Sequence, residues 1–169
     1  MKQSEFLKTV MPFKDKVFRL AKRLLVSTEE AEDATQELYF KLWKNKGKLV
    51  DYKSVEAFAM TMTKNYCFDR LKSKQASNLT LVHSNYKEKD TPLMKKMELN
   101  DSVSHVHRLI ENLPEQQKII IQLRDIEEYE FEEIAKMLDM KPTAVRVNLS
   151  RARKTIKEQL IKQHNYGIS

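Results

Sequence analysis

Only two glycines, Gly47 and Gly167, occur in 169 residues. Glycine-rich phosphate loops are therefore excluded, and hairpin-rich β folds, whose tight turns demand positive φ, are disfavoured. Cysteine is scarcer still. The single Cys67 permits no internal disulfide and no zinc knuckle. It falls in an apolar helical stretch, where a buried and inert thiol is expected. No apolar run approaches the ~18 residues of a membrane span. The N-terminal Met1-Lys-Gln-Ser-Glu-Phe lacks the apolar segment of a signal peptide. The expected location is cytoplasmic. No nucleophile–base constellation is present, so no catalytic residues, no small-molecule substrate and no cofactor are expected.

What is present is helical periodicity over a 41% hydrophobic composition, enough for a core. A first apolar stripe runs Phe6, Val10, Phe13, Val17, Leu20, Leu24, divided at Pro12. Ser27-Thr28-Glu29-Glu30 signals an N-cap with acidic residues in the first turn, opening a helix to about Lys44. Residues 45–54 read as a polar, lysine-rich loop. Val55 to about Ser73 reads as a helix apolar almost all round (Phe58, Met60, Met62, Tyr66, Phe68, Leu71), and so as central to its bundle. Residues 76–103 carry Ser, Asn, Lys, Asp and Pro92 without a sustained period. A flexible linker of that size spans about 30 Å on average and about 90 Å when stretched. The expected fold class is all-α. Two small helical domains, 1–75 and 104–169, are joined by this linker, the second containing a helix-turn-helix.

Charge sharpens the picture. The net charge of +7 favours a polyanionic partner. From Glu111 to Asp139 there are nine acidic residues against three basic; from Lys141 to Lys162 there are seven basic and one acidic. The reversal falls inside a helix–turn–helix pattern. Phe131, Ile134, Ala135 and Leu138 share one face of its first helix. Pro142 suits the first position of the second. There Val145, Leu149, Ala152, Ile156 and Leu160 cluster on a core face. Thr143, Arg146, Val147, Ser150, Arg151 and Lys154 lie opposite. Arg can fork onto guanine, Ser can donate or accept, and Val can touch a thymine methyl. Arg153, Lys157 and Lys162 flank this face and suit phosphates. An acidic helix ahead of a basic one would orient docking, because it repels phosphate elsewhere.

In the helix from Glu29 to Lys44, Ala31, Ala34, Leu38 and Leu42 make the buried stripe. Asp33, Gln36, Glu37, Phe40 and Lys44 lie opposite, with Trp43 at the border. Phe40 points away from the core, ringed by polar groups. That is the form of a protein-binding anchor, and equally of a ring packed on another helix of its own bundle.

Ala31-Glu-Asp-Ala-Thr-Gln-Glu-Leu-Tyr-Phe-Lys-Leu-Trp43 resembles region 2 of bacterial sigma factors, where an Asp-x-x-Gln-Glu helix docks on core RNA polymerase. Ala57-Phe58, Lys64-Asn65 and Asp69-Arg70-Leu71 are similar to the next helix of that region. Leu113-Pro114-Glu115 through Ile134-Ala135, then Val145-Arg146-x-x-Leu149-Ser150-Arg151-Ala152-Arg153, resemble region 4, which reads the −35 element. The two matches come in family order without a region 3 domain, the arrangement of the extracytoplasmic-function (ECF) type.

The resemblance implies polymerase contacts at Asp33, Gln36, Glu37 and Phe40. It implies −35 contacts at Thr143, Arg146, Val147, Ser150, Arg151, Arg153 and Lys154. The loop 45–54 and Asn65 would hold an unstacked −10 base, with Lys46, Lys48, Lys53 and Lys64 available for phosphates. Leu49 would take the place of the family's aromatic, since the usual Phe-Arg-Gly-Asp-like stretch is missing. Implied partners are core RNA polymerase, promoter DNA and an anti-sigma factor, often membrane-anchored. Asp139 and Glu128 stand where turn glycines are usual, and Ala144, Val147 and Asn148 depart from the frequent recognition-helix residues.

A metal reading of His105 and His107 lacks a third ligand, and no metal is expected. The glutamates at 127, 128, 130, 132 and 133 read as a solvated helix start. Two other readings stay open on the residues alone. One is a stand-alone helix-turn-helix regulator, which would need a dimer interface. The other is a protein-interaction module, which would show no salt-dependent DNA affinity.

Overall fold

Every described element is a helix or a helical turn. The computed structural model describes residues 1–78 and 101–168. Helices α1 (Gln3–Val10) and α2 (Lys14–Leu25) are joined by a 3₁₀ turn, Met11–Phe13. Pro12 sits in the first positions of that turn, where its missing N–H costs nothing. The apolar stripe survives the break: Phe6, Val10, Phe13, Val17, Leu20 and Leu24 are all buried. Ser27 caps α3 (Thr28–Lys44), its Oγ accepting from the Glu30 N–H at 3.3 Å. Such a cap is worth about 1 kcal/mol. Helix α4 (Val55–Asn78) packs on α2 and α3. It buries Ala59, Met60, Thr63 and Cys67, whereas Phe58, Met62, Tyr66, Phe68 and Leu71 are only half-buried. The expected all-round burial therefore holds on one side, because α2 and α3 cover only part of the helix. Burial, with Glu30 as the smaller cause, pushes the Cys67 thiol up to about 12, far from the range of reactive thiolates.

The second part comprises α5 (Asp101–Glu111), α6 (Glu115–Ile121) continued by a π turn (Gln122–Ile126), α7 (Phe131–Leu138) and α8 (Pro142–Ile168). Helices α7 and α8 form the expected helix-turn-helix around buried Ile134, Ala135, Met137, Val145, Leu149 and Ala152. Asp139 ends α7 in the left-handed region (φ 54°, ψ 53°), and Glu128 has φ 64°. These are the two positions where glycine is usual. Asp bears the geometry better than most residues, at a cost of about 1 kcal/mol. The expected core face of α8 is too long by a turn. Ile156 is half-buried, and Leu160 and Ile161 are 36% and 50% exposed, because α8 outruns the helices that cover its start. Phe131 and Leu138 are likewise half-buried rather than sealed in.

Of the expected linker 76–103, residues 76–78 continue α4 and 101–103 open α5; residues 79–100 lie outside the described residues.

The two parts touch through α2, α4, α6 and α7. Arg19 donates to both carboxylate oxygens of Glu127, at 2.8 and 2.7 Å. Gln122 donates to Glu127 at 3.0 Å and accepts from Arg23 Nε at 2.9 Å. Arg23, 7% exposed, also reaches the His107 carbonyl (3.3 Å) and His107 Nδ1 (2.6 Å), with Glu111 at 3.9 Å. Lys64 donates to the Met137 carbonyl at 3.1 Å, at the negative end of α7.

One consequence is a pH dependence. Desolvation first, then the Arg23 guanidinium, hold His107 below the usual histidine range, against an opposing pull from Glu111. A neutral ring is the form that accepts from Arg23. Its folded pKa lies below its unfolded value, so the contribution is complete above about pH 6.5 and is lost as pH falls through the window beneath it. The radius of gyration measured from pH 8 to pH 5 should rise only at the acidic end, and His107→Gln should flatten the profile. A rise that persists in His107→Gln assigns the effect to another group.

Candidate functional site

The four residues expected to meet a protein partner are gathered on one face of α3. Asp33, Gln36, Glu37 and Phe40 line a shallow, mostly polar depression together with Tyr66 from α4. Phe40 is 53% exposed, so it is not absorbed by its own bundle. The Lys44 ammonium lies 4.8 Å from its ring centroid and Lys41 lies 5.7 Å from that of Tyr66. Tyr66 was missed as a site residue because the periodicity of α4 enrols it in the core. Its neighbourhood to Phe40 exists only once α3 and α4 pack.

On α8, Thr143, Arg146, Val147, Ser150, Arg151 and Lys154 are all exposed, opposite buried Val145, Leu149 and Ala152. Arg146 is held. Its guanidinium lies 4.9 Å from the Phe131 ring centroid, and Arg124 lies 4.5 Å from the same ring. Arg124 is further tied to the Tyr129 carbonyl at 2.9 Å. Cation–π contact of this kind reduces the freedom of a long side chain while leaving its donors available. Arg124 also pairs with Glu130 at 3.8 Å, so its part is to brace the Phe131 ring on which Arg146 rests.

Arg153 differs from the expectation. It forms a two-pronged pair with Asp125, Nε to Oδ2 at 3.0 Å and Nη2 to Oδ1, which holds its pKa above the ordinary value. Two of its donors are engaged within the protein, so it meets Asp125 here instead of standing free for a phosphate as its flanking position suggested. Asn148 turns back onto the Ala144 carbonyl at 2.9 Å.

The residues expected to hold a −10 base separate into groups. Residues 45–54 are not simply a loop: Lys46–Asp51 wind into a 3₁₀ helix. That winding turns Leu49 inward to 1% exposure, so its side chain fills the core instead of offering an apolar surface to a base. Lys46 is half-buried, its ammonium 3.5 Å from the Trp43 ring centroid. Lys48, Lys53 and Asn65 are exposed. Lys64 is occupied by the Met137 carbonyl.

A helix-turn-helix with an exposed basic second helix belongs to the class of proteins that read duplex DNA. Comparison with known proteins makes this specific. Residues 9–77 match the family Sigma-70 region 2, and residues 105–156 match Sigma-70, region 4. The chain is 28% identical over 167 residues to the ECF RNA polymerase sigma-E factor of Escherichia coli K12, covering 91% of this chain and 85% of that protein. It is 26% identical over 161 residues to the RNA polymerase sigma-H factor of Pseudomonas aeruginosa, covering 89% and 83%. For the ECF sigma factor SigW of Bacillus subtilis the identity is 23% over 171 residues, covering 94% and 90%. Among solved structures, the fold matches the sigma factor RpoE in complex with the anti-sigma factor NepR from Bartonella quintana. That match has a TM-score of 0.71 and 15% identity, over 92% of this chain and 96% of that one. CnrH in complex with the cytosolic domain of CnrY matches with a TM-score of 0.68 and 16% identity, over 95% and 90%. The chain belongs to the ECF sigma factors, with a region 2 and a region 4 domain, and directs transcription initiation; catalysis is the polymerase's own. Among the described residues, no helix is long and apolar enough to cross a membrane.

Proposed function

We propose that the region 2 domain, residues 1–75, docks on core RNA polymerase through Asp33, Gln36, Glu37 and Phe40, with Tyr66 completing the surface. The region 4 domain, residues 104–169, reads the −35 duplex. Thr143, Arg146, Val147, Ser150 and Arg151 lie along the groove, and Lys154 serves phosphates. Lys48, Lys53 and Asn65 serve the −10 strand, and Lys46 and Lys64 join them once released from Trp43 and Met137. Residues 76–103 connect the two. The observation that carries this reading is the two-sidedness of α8: six groove-competent residues exposed on one face, with Val145, Leu149 and Ala152 sealed on the other.

The −10 and −35 elements lie several helical turns apart, so reading both requires the two parts to separate. Residues 79–100 provide 22 residues, which reach about 75 Å at full extension. The contact through Arg19, Arg23 and Lys64 then belongs to the unbound protein. Both structural neighbours are held by a partner, NepR in one case and the cytosolic domain of CnrY in the other. An anti-sigma factor, membrane-anchored in the manner the family often uses, is the corresponding partner here. The site of action is the cytoplasm, where polymerase and promoters are.

The test is initiation from a library of promoter fragments by core polymerase supplemented with this chain. Initiation from a subset sharing two spaced motifs supports the reading. Operator binding by the chain alone, without polymerase binding, sinks it in favour of a stand-alone regulator. Arg146→Ala should weaken binding to the selected −35 duplex by about 1–3 kcal/mol, roughly five- to a hundred-and-fiftyfold, and relax preference at one base pair. Uniform weakening across all sequences would make Arg146 a phosphate ligand instead.

A further inference from the structure

Phe131 opens α7 on the same face as Ile134 and Ala135, yet those two are buried and Phe131 is only half-buried. Two guanidinium groups lie against the ring, Arg124 at 4.5 Å and Arg146 at 4.9 Å from its centroid. They come from different elements, the π turn and α8. Two like charges gather at one place only where something between them attracts both, and the negative face of an aromatic ring does so.

The commitments of the two arginines differ. Arg124 is tied down by the Tyr129 carbonyl at 2.9 Å and by Glu130 at 3.8 Å. Arg146 is exposed, and among the described residues it is in no ion pair. The fixed charge of Arg124 disfavours any Arg146 rotamer that folds back toward the π turn. The ring favours one plane for the guanidinium that remains.

The helix beneath Arg146 is held by other means. Val145 and Leu149 are buried on either side of it in sequence, and Arg153, two turns on, pairs with Asp125. The start of α7 is closed by the Glu130 N–H donating to Glu133 at 3.1 Å. None of these contacts uses the Phe131 ring. Replacing Phe131 by another apolar side chain therefore loosens Arg146 without displacing α8.

A two-pronged contact with guanine requires the guanidinium to lie in the plane of the base. An arginine free to rotate also reaches phosphates, and those contacts carry no sequence information. We propose that Phe131 is the positioning residue for Arg146. Its ring sets the plane in which Arg146 meets a base edge, and Arg124 fixes the side from which it does so. The inference rests on the −35 reading assigned to Arg146 and names what makes that reading selective. Phe131 itself touches no base.

The experiment uses holoenzyme assembled from the full chain and bacterial core polymerase. Its affinity is measured by competition for a promoter fragment selected from the library and for fragments that differ from it by one base pair in the −35 element. Arg146→Ala marks the base pair that Arg146 reads, as the position where preference flattens. Phe131→Leu should lower preference at that same position about two- to fivefold, the weight of an exposed cation–π contact, and leave the other positions as in wild type. Phe131→Tyr should keep wild-type preference, because its ring face attracts a cation as well. Added to Arg146→Ala, Phe131→Leu should change nothing further. Unchanged preference in Phe131→Leu overturns the proposal. So does an equal loss at every position, which would mean that α8 has moved, and so does a loss that adds to that of Arg146→Ala. An unchanged thermal unfolding midpoint for Phe131→Leu, read by circular dichroism, excludes a damaged fold as the cause of a loss. If Arg146→Ala flattens no position, the base-reading role of Arg146 falls and the platform with it. If Arg146→Ala flattens one and Phe131→Leu does not, only the platform falls.

Discussion

Replacing Arg19 by alanine is expected to weaken the contact between the two domains far more than replacing its partner. The reason is an asymmetry in burial. The Glu127 side chain is 1% exposed and that of Arg19 is 47% exposed. Removing Arg19 leaves a buried carboxylate with one remaining donor, Gln122 at 3.0 Å. An uncompensated buried charge costs about 3–5 kcal/mol. Glu127→Gln instead leaves a guanidinium that water can reach, and a neutral amide of the same shape. The loss in Arg19→Ala is bounded by the free energy of the contact, because the domains can part and hydrate the carboxylate. Small-angle scattering should therefore show a larger radius of gyration for Arg19→Ala, a smaller change for Glu127→Gln, and partial recovery in the double variant. An additive double variant would mean that the two side chains do not act as a pair in solution.

The second large effect concerns polymerase. Phe40→Ala combined with Asp33→Ala should reduce affinity for core polymerase by about 2–4 kcal/mol, the range of a truncated interface anchor, which is roughly thirty- to a thousandfold. Phe40 makes little use of its own protein: it is 53% exposed, with Lys44 beside the ring. Folding stability should therefore stay near wild type. Binding of the region 4 domain to −35 duplex should be spared, and Arg146→Ala should show the opposite pattern. Wild-type polymerase affinity in the double variant would move the docking surface off this face of α3.

Much of this arrangement was legible beforehand, for local reasons. Helix boundaries at Ser27, Lys44 and Pro142 follow from a cap, a polar break and a fixed φ, each readable within a few residues. The helix-turn-helix was legible because burial at i, i+3, i+4 and i+7 and the charge reversal occur on the same segment. The exposed face of α3 was legible because the helix is amphipathic enough to separate Ala31, Ala34, Leu38 and Leu42 from Asp33, Gln36, Glu37 and Phe40. Residues 45–54 were read less well. A lysine-rich stretch with one glycine looks like a loop. Its 3₁₀ winding buries Leu49, so the side chain expected to meet a base fills the core instead.

By itself, the sequence determined the all-α class, the helix-turn-helix, the two outward faces and the family, because helical period, caps and motif spacing are properties of neighbouring residues. Tertiary structure alone decided which charges remain available. Arg153 is taken by Asp125, 28 positions away, Lys64 by a carbonyl 73 away, and Arg19 by Glu127, 108 away. No period links such partners. Desolvation and hydrogen-bond geometry select them only after the helices have packed, and that selection distinguishes a lysine or arginine free to meet phosphate from one already engaged within the protein.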